Sequence, residues 1–287
     1  MVEFLQNWEL WIEAVIASVL IGAIGGVFGV FIIARRVVFI SMALSQVSAL
    51  GVAAAILTGE LLSHASEHHH DETNALILLN PALWSLVLAV VASLFLGLSR
   101  KPNRVTAESL IGMIYLLAGG LVLVIASRMA AHSHEIDNVL FGNAVAITTK
   151  QLIELMVVLG IVVAVFARYL KDFLFVTFDE DAAQTMSLPV RRINIVFYVA
   201  LAALISVATR TIGGFPVFAF LILPAMGALI AAQSVTGVFV LAVVFGMASA
   251  FFGYLTSFVW ALPTGACMVA VAGACIALSF ATQLKRR

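Results

Sequence analysis

Apolar runs of about twenty residues recur along the whole chain, separated by short polar stretches, and a helix needs about that length to cross the hydrocarbon core of a bilayer. The pattern predicts nine spans. The first is rich in glycine and ends near Arg35 and Arg36; the others cover 37–57, 81–98, 108–127, 152–168, 193–208, 215–231, 236–259 and 263–281. Residues 3–13 are amphipathic, with Trp8 and Trp11 suited to a membrane boundary; were they to lie on the surface, eight spans would remain. Gly22, Gly25, Gly26 and Gly29 make the first span a surface on which another backbone can pack closely. The second span carries Ser41, Ser45, Gln46 and Ser48, and its polar side chains place it toward the middle of the bundle. Residues 211–227 contain Gly-Gly, Pro216, Pro224 and Gly227 and predict two breaks in helical geometry, a second candidate for a lined pathway.

The longest polar interruption in the second half is 178–192, FDEDAAQTMSLPVRR. Asp179 is placed to cap a helix, and Glu180 and Asp181 put negative charge in its first turn. Ala182, Ala183, Met186 and Leu188 supply an apolar side, and Pro189 should end the helix after about two turns. Such a helix is either an ordinary interfacial loop helix or a handle for a soluble partner.

Composition supports the membrane reading: 63% hydrophobic residues, 10% charged residues and a mean hydropathy of +1.14 describe one integral membrane domain over 1–287. No small-residue cleavage site follows a basic start, so the first run is expected to be retained. Cys267 and Cys275 share one predicted span and are expected to be buried small hydrophobes. In the nine-span arrangement Arg35, Arg36, Arg100, Lys101, Arg104, Arg168, Lys171, Arg191, Arg192, Lys285, Arg286 and Arg287 fall on one side, and only Arg128, Lys150 and Arg210 on the other. The positive-inside rule makes the first side cytoplasmic, together with the C-terminus and the 179–190 helix. The first and second polar loops, 59–80 and 128–150, are then external.

Candidate chemistry is sparse. There is no P-loop, so nucleotide hydrolysis by that mechanism is excluded. His134-Glu135 begins like a zinc-protease helix, but Asn138 stands where the second ligand belongs. His64, His68, His69 and His70, with Asp71 and Glu72, are either a solvated loop or a weak collector of divalent metal. His132, His134, Glu135 and Asp137 form a denser set that either binds metal or caps the next span.

Taken together, Arg35-Arg36 with SMALSQVSALGVA (41–53), EIDNVLFGNAVAI (135–147), FDEDAAQTMSLPV (178–190), GGFPVFAFLILPAMGAL (213–229) and LPTGACMV (262–269) resemble the permease subunits of bacterial ABC importers for zinc, manganese and iron. The resemblance runs end to end and in order. It implies an all-α polytopic bundle of eight or nine transmembrane helices in the bacterial cytoplasmic (inner) membrane, related to the vitamin-B12 and siderophore permeases. It further implies a transport subunit that is not itself an enzyme. It would work as a homodimer with two cytoplasmic ATPase subunits and an extracytoplasmic metal-binding protein, with no nucleic-acid partner and no covalent cofactor. The divalent ion is then substrate, zinc first, manganese or iron next. Asp179, Glu180, Asp181, Gln184, Met186, Leu188 and Pro189 would form the coupling helix against the ATPase. Met42, Ser45, Gln46 and Pro224 would line the route.

The chain departs from the family in the second span. An Asp and a His that can coordinate the ion are replaced by Met42 and Gln46, both uncharged and poor ligands for zinc or manganese. Three consequences are open: the ion is bound elsewhere, at His132, His134, Glu135 and Asp137; the cargo is a different or chelated species; or the center is only a conduit. The rival outside transport is an intramembrane metal-dependent enzyme using His132, His134 and Glu135.

Overall fold

The computed structural model describes residues 8–65, 80–98, 106–129, 139–140 and 147–284. Within them lie ten helices: α1 (Trp8–Ala34), α2 (Ile40–Ala65), α3 (Pro81–Leu98), α4 (Ala107–Arg128), α5 (Thr149–Phe178), α6 (Glu180–Thr185), α7 (Val190–Ile212), α8 (Gly214–Ala231), α9 (Val235–Trp260) and α10 (Thr264–Leu284). All except α6 are apolar. Eight are long and apolar enough to cross a membrane, and the apolar stretch of α3, Pro81–Gly97, is shorter. The nine expected runs are therefore nine helices. Trp8–Glu13 does not lie apart on a surface, because α1 runs unbroken from Trp8. The 152–168 run extends to Phe178, so Arg168 and Lys171 sit on the end of α5 rather than in a loop.

Side-chain caps mark several starts. Thr106 accepts from the Ser109 N–H, Thr148 and Gln151 form a reciprocal capping box, and Ser234 accepts from the Gly237 N–H. The expected double break within 211–227 is a single one. Gly213, at φ 89° and ψ 157°, turns the chain between α7 and α8, a conformation L side chains rarely adopt. Pro224 lies inside α8, which continues through it. The proline removes the hydrogen bond to the Phe220 carbonyl, and the absent side chain of Gly25 on α1 leaves room for that carbonyl.

α1 packs on α8, α9 and α5, whereas α2 packs on α3, α4, α7 and α8; α7 touches both groups. The glycines of α1 explain its position. A Cβ at Gly22 would collide with the Gly246 carbonyl of α9, and one at Gly26 with the Ala242 carbonyl. The two backbones therefore meet as only small residues allow. Below this contact Phe28, Phe31, Phe166, Phe173 and Phe197 from α1, α5 and α7 form an aromatic cluster, with the Phe28–Phe166 centroids 4.7 Å apart. Leu117 and Val124 of α4 and Ile153, Met156 and Val157 of α5 are exposed on the outside, at no cost where the surrounding solvent is lipid.

Candidate translocation chamber and coupling helix

Met42, Ser45 and Gln46 stand three and four residues apart, so they share one face of α2. That face borders a chamber of about 480 Å³. Across it, α4 contributes Tyr115, Leu116, Gly119, Gly120 and Leu123, and the start of α8 contributes Gly214, Phe215 and Phe218. The turn at Gly213 brings Gly214 so close to the Ser45 hydroxyl that a Cβ there would collide with it. A Cβ on Gly119 would come 3.4 Å from Gln46 Oε1, and one on Gly120 would meet nothing within 4 Å. Leu116, Leu123 and Phe215 are 70%, 62% and 51% exposed, so the chamber opens at the surface of the single chain.

Among the described residues that line the chamber every side chain is neutral, and none is a histidine or cysteine. Ser41 and Ser48 do not line it: Ser41 donates to the Val38 carbonyl at 2.9 Å, and Ser48 to the Ser206 carbonyl at 3.4 Å. Pro224 is buried in α8 away from the chamber. Sequence reading missed Tyr115, Gly119, Gly120, Phe215 and Phe218. The Gly-Gly pair one turn after a tyrosine, in the middle of an apolar run, was the available signal.

His132, His134, Glu135, Asp137, His68, His69 and His70 lie outside the described residues, and with them the external metal set and the enzyme rival. His64 falls in the last turn of α2. Among the described residues no group of three or more His, Cys, Asp or Glu is placed to hold a metal.

At the other candidate site, the Asp179 carboxylate accepts from the Ala182 N–H at 2.8 Å and caps α6. The expectation that Pro189 ends the helix needs correcting. Ser187 takes a left-handed conformation, φ 58°. Its N–H reaches the Gln184 carbonyl at 3.0 Å, while the Leu188 N–H reaches the Ala183 carbonyl at 3.1 Å, a Schellman stop two residues before the proline. Pro189 instead stands at the start of α7. Ala183 is buried and Leu188 half-buried, so these two face the bundle. Glu180, Asp181, Gln184 and Met186 are exposed.

Arg35, which the sequence marked only by its charge, joins this site to the chamber helix. From the turn between α1 and α2 it donates through Nε to Thr177 Oγ1 at 2.9 Å and through Nη1 to Asn194 Oδ1 at 2.8 Å, and its guanidinium lies 4.1 Å over the Phe197 ring. Thr177 and Asn194 flank α6 in sequence. Burial lowers the guanidinium's pKa from its ordinary value, opposed by Tyr198 and Glu180; an arginine stays charged regardless. The same contacts show that the end of α1, the end of α5 and the start of α7 share one side. On the other, Arg210 Nη2 lies 3.6 Å from Glu154 Oε2.

Nine apolar helices, a chamber opening between them and a capped amphipathic helix at one end define a multi-pass membrane permease. The profile of the ABC 3 transport family matches residues 7–283, and the chain belongs to that family. The manganese transport system membrane protein MntC of Listeria monocytogenes is 29% identical over 273 residues, 94% of this chain and 89% of that protein. In fold, the chain is similar to a chain of PsaBC from Streptococcus pneumoniae, solved with a Fab, at a TM-score of 0.81 and 22% identity over 97% of this chain and 94% of that one. It is also similar to a structure described as an inward-facing ABC transporter of metal-chelate type, at a TM-score of 0.69 and 13% identity over 94% and 85% of the two chains. The protein is thus an all-α permease of the bacterial cytoplasmic membrane.

Proposed function

We propose that this chain is the permease subunit of an ATP-driven importer for a divalent transition metal. It works as a pair of copies, with two cytoplasmic ATPase subunits below and a metal-binding protein outside. Manganese replaces zinc as the first candidate, because the relative that matches 94% of this chain is a manganese transport protein; iron and zinc follow. The chamber is the route. Its open side is closed by the second copy, which adds its own α4 and α8 walls.

The observation that carries this reading is the surface of α6. Phe178 and Met186, 65% and 68% exposed, flank an acidic turn whose Glu180, Asp181 and Gln184 are also exposed. Two large apolar side chains beside a rigidly capped helix, on the side rich in Arg and Lys, form a small protruding surface suited to a protein groove. The groove is the ATPase's. Nucleotide binding moves α6, and packed helices transmit the movement as rigid bodies.

The test is co-expression with the ATPase and metal stimulation of ATP hydrolysis in the assembled complex, compared across manganese, zinc, iron and copper. Co-purification and stimulation by manganese are expected. An ATPase that binds equally well after Phe178→Ala and Met186→Ala would refute the assignment of α6.

A further inference from the structure

We propose that the outer end of the bundle holds a glycerophospholipid, seated between α1, α9 and α10 with an ester carbonyl on Trp11 and Tyr254. A cavity of about 280 Å³ lies there. It is bordered by Trp11 near the start of α1, by Tyr254, Ser257 and Phe258 near the end of α9, and by Ala261 and Leu262 in the turn to α10. This is the end of α1 opposite Arg35, and the clustering of basic residues around the Arg35 side places it in the outer leaflet. The walls hold one another in place. Trp11 meets Tyr254 and Phe258 edge-on, with ring centroids 6.4 and 5.6 Å apart. Ala261 is left-handed, φ 51°, and across that turn the Ser257 hydroxyl donates to the Leu262 carbonyl at 2.6 Å. Ala261 and Leu262 are exposed, so the cavity opens at the surface of the chain.

Two polar atoms on this wall are left over. The indole Nε1 of Trp11 and the hydroxyl of Tyr254 are buried, Tyr254 being only 2% exposed, and neither has a hydrogen-bond partner among the described residues. A buried polar group left unpaired is costly, so a ligand that pairs both is favored. It must accept from the indole N–H, accept from or donate to the phenol, and turn apolar surface to Phe258, Ala261 and Leu262. Water satisfies only the first two demands. The cavity has the volume of about nine waters at roughly 30 Å³ each, and each water held there needs about two to four polar partners. A phospholipid satisfies all three. Trp and Tyr rings concentrate at the boundary where lipid head groups begin, the depth of the ester carbonyls. One carbonyl accepts from both side chains, and the first carbons of its acyl chain fill the apolar remainder. The bound lipid joins the start of the first span to the α9–α10 turn.

The experiment follows melting of the delipidated full-length chain in dodecyl maltoside as lipid is added. The probes are phosphatidylethanolamine with two ester-linked oleoyl chains and its diether analogue, which keeps head group and chains but lacks both carbonyls. The ester lipid is expected to raise the melting temperature with a half-saturating concentration about two- to tenfold lower per hydrogen bond than the diether. Trp11→Phe and Tyr254→Phe each remove one donor and keep an aromatic ring, and each is expected to move the ester lipid's half-saturating concentration toward the diether value. Without lipid, Tyr254→Phe is expected to melt no lower than the wild type, because no bond inside the chain is lost. Equal stabilization of the wild type by the two lipids would overturn the proposal, and this comparison needs no variant to fold. An unchanged ester response in both variants would overturn it too. So would a lower melting temperature of Tyr254→Phe without lipid, which would give the hydroxyl a partner within the chain, residues 1–7 included.

Discussion

Replacing Arg35 by alanine is expected to separate ATP hydrolysis from transport. The side chain makes two charge-assisted hydrogen bonds, to Thr177 and Asn194, each contributing about 1.5–3 kcal/mol, and one contact with the Phe197 ring contributing about 0.5–1 kcal/mol. Against roughly 3–7 kcal/mol gained stands the desolvation of a largely buried guanidinium, several kcal/mol per ion, so the net loss of stability is about 1–3 kcal/mol. That leaves a folded protein. The lost contacts are the ones that tie the α1–α2 turn, and so the Met42–Gln46 face of α2, to the residues on either side of α6. Arg35→Ala should therefore lower thermal stability in detergent modestly and reduce metal moved per ATP hydrolyzed severalfold, with basal hydrolysis retained. Arg35→Lys keeps the charge but cannot reach both partners with a fixed fork, and should show the same uncoupling with a smaller loss of stability. Wild-type uptake per ATP in both variants, with unchanged melting, would show that Arg35 carries no movement between the two sites.

Removing the α6 cap with Asp179→Ala should cost about 1 kcal/mol of local helix stability and weaken co-purification of the ATPase, whereas Asp179→Asn should largely preserve it. Because Ser187 is left-handed, Ser187→Gly should stabilize the α6–α7 corner by up to about 1 kcal/mol and Ser187→Val should destabilize it by about 1–2 kcal/mol, read as shifts in melting temperature. Gly26→Leu on α1 drives a side chain into the Ala242 carbonyl and should cost at least about 1–3 kcal/mol, seen as loss of folded protein on size-exclusion chromatography. Gly120→Phe, at a position where an added Cβ meets no neighbor within 4 Å, should instead leave folding intact and block uptake by filling the chamber.

Much of the fold was legible because lipid imposes simple rules. Backbone groups must be satisfied within each span, so twenty-residue apolar runs report helices directly. The Asp179 cap was equally readable, being a contact between residues three apart. Where geometry further along the chain decides, the local signal misleads: Pro224 predicts a break although α8 runs through it, and Pro189 predicts a stop that Ser187 makes. The expectation of zinc first rests on imidazoles in the polar loops, whereas the similar MntC protein is a manganese transport protein.

The sequence alone determined the class of protein, the apolar runs that become helices, the clustering of basic residues between alternate runs and the existence of a short capped helix between α5 and α7. These are properties of local stretches and of composition. The tertiary structure alone decided which faces meet. Leucine and valine turned to lipid look the same as leucine and valine turned to another helix, so hydrophobic periodicity carries little information about neighbors inside a membrane. The chamber therefore emerged only when α2, α4 and α8 were set side by side. The Arg35 bridge emerged only when residues 142 and 159 positions apart were brought within hydrogen-bonding distance.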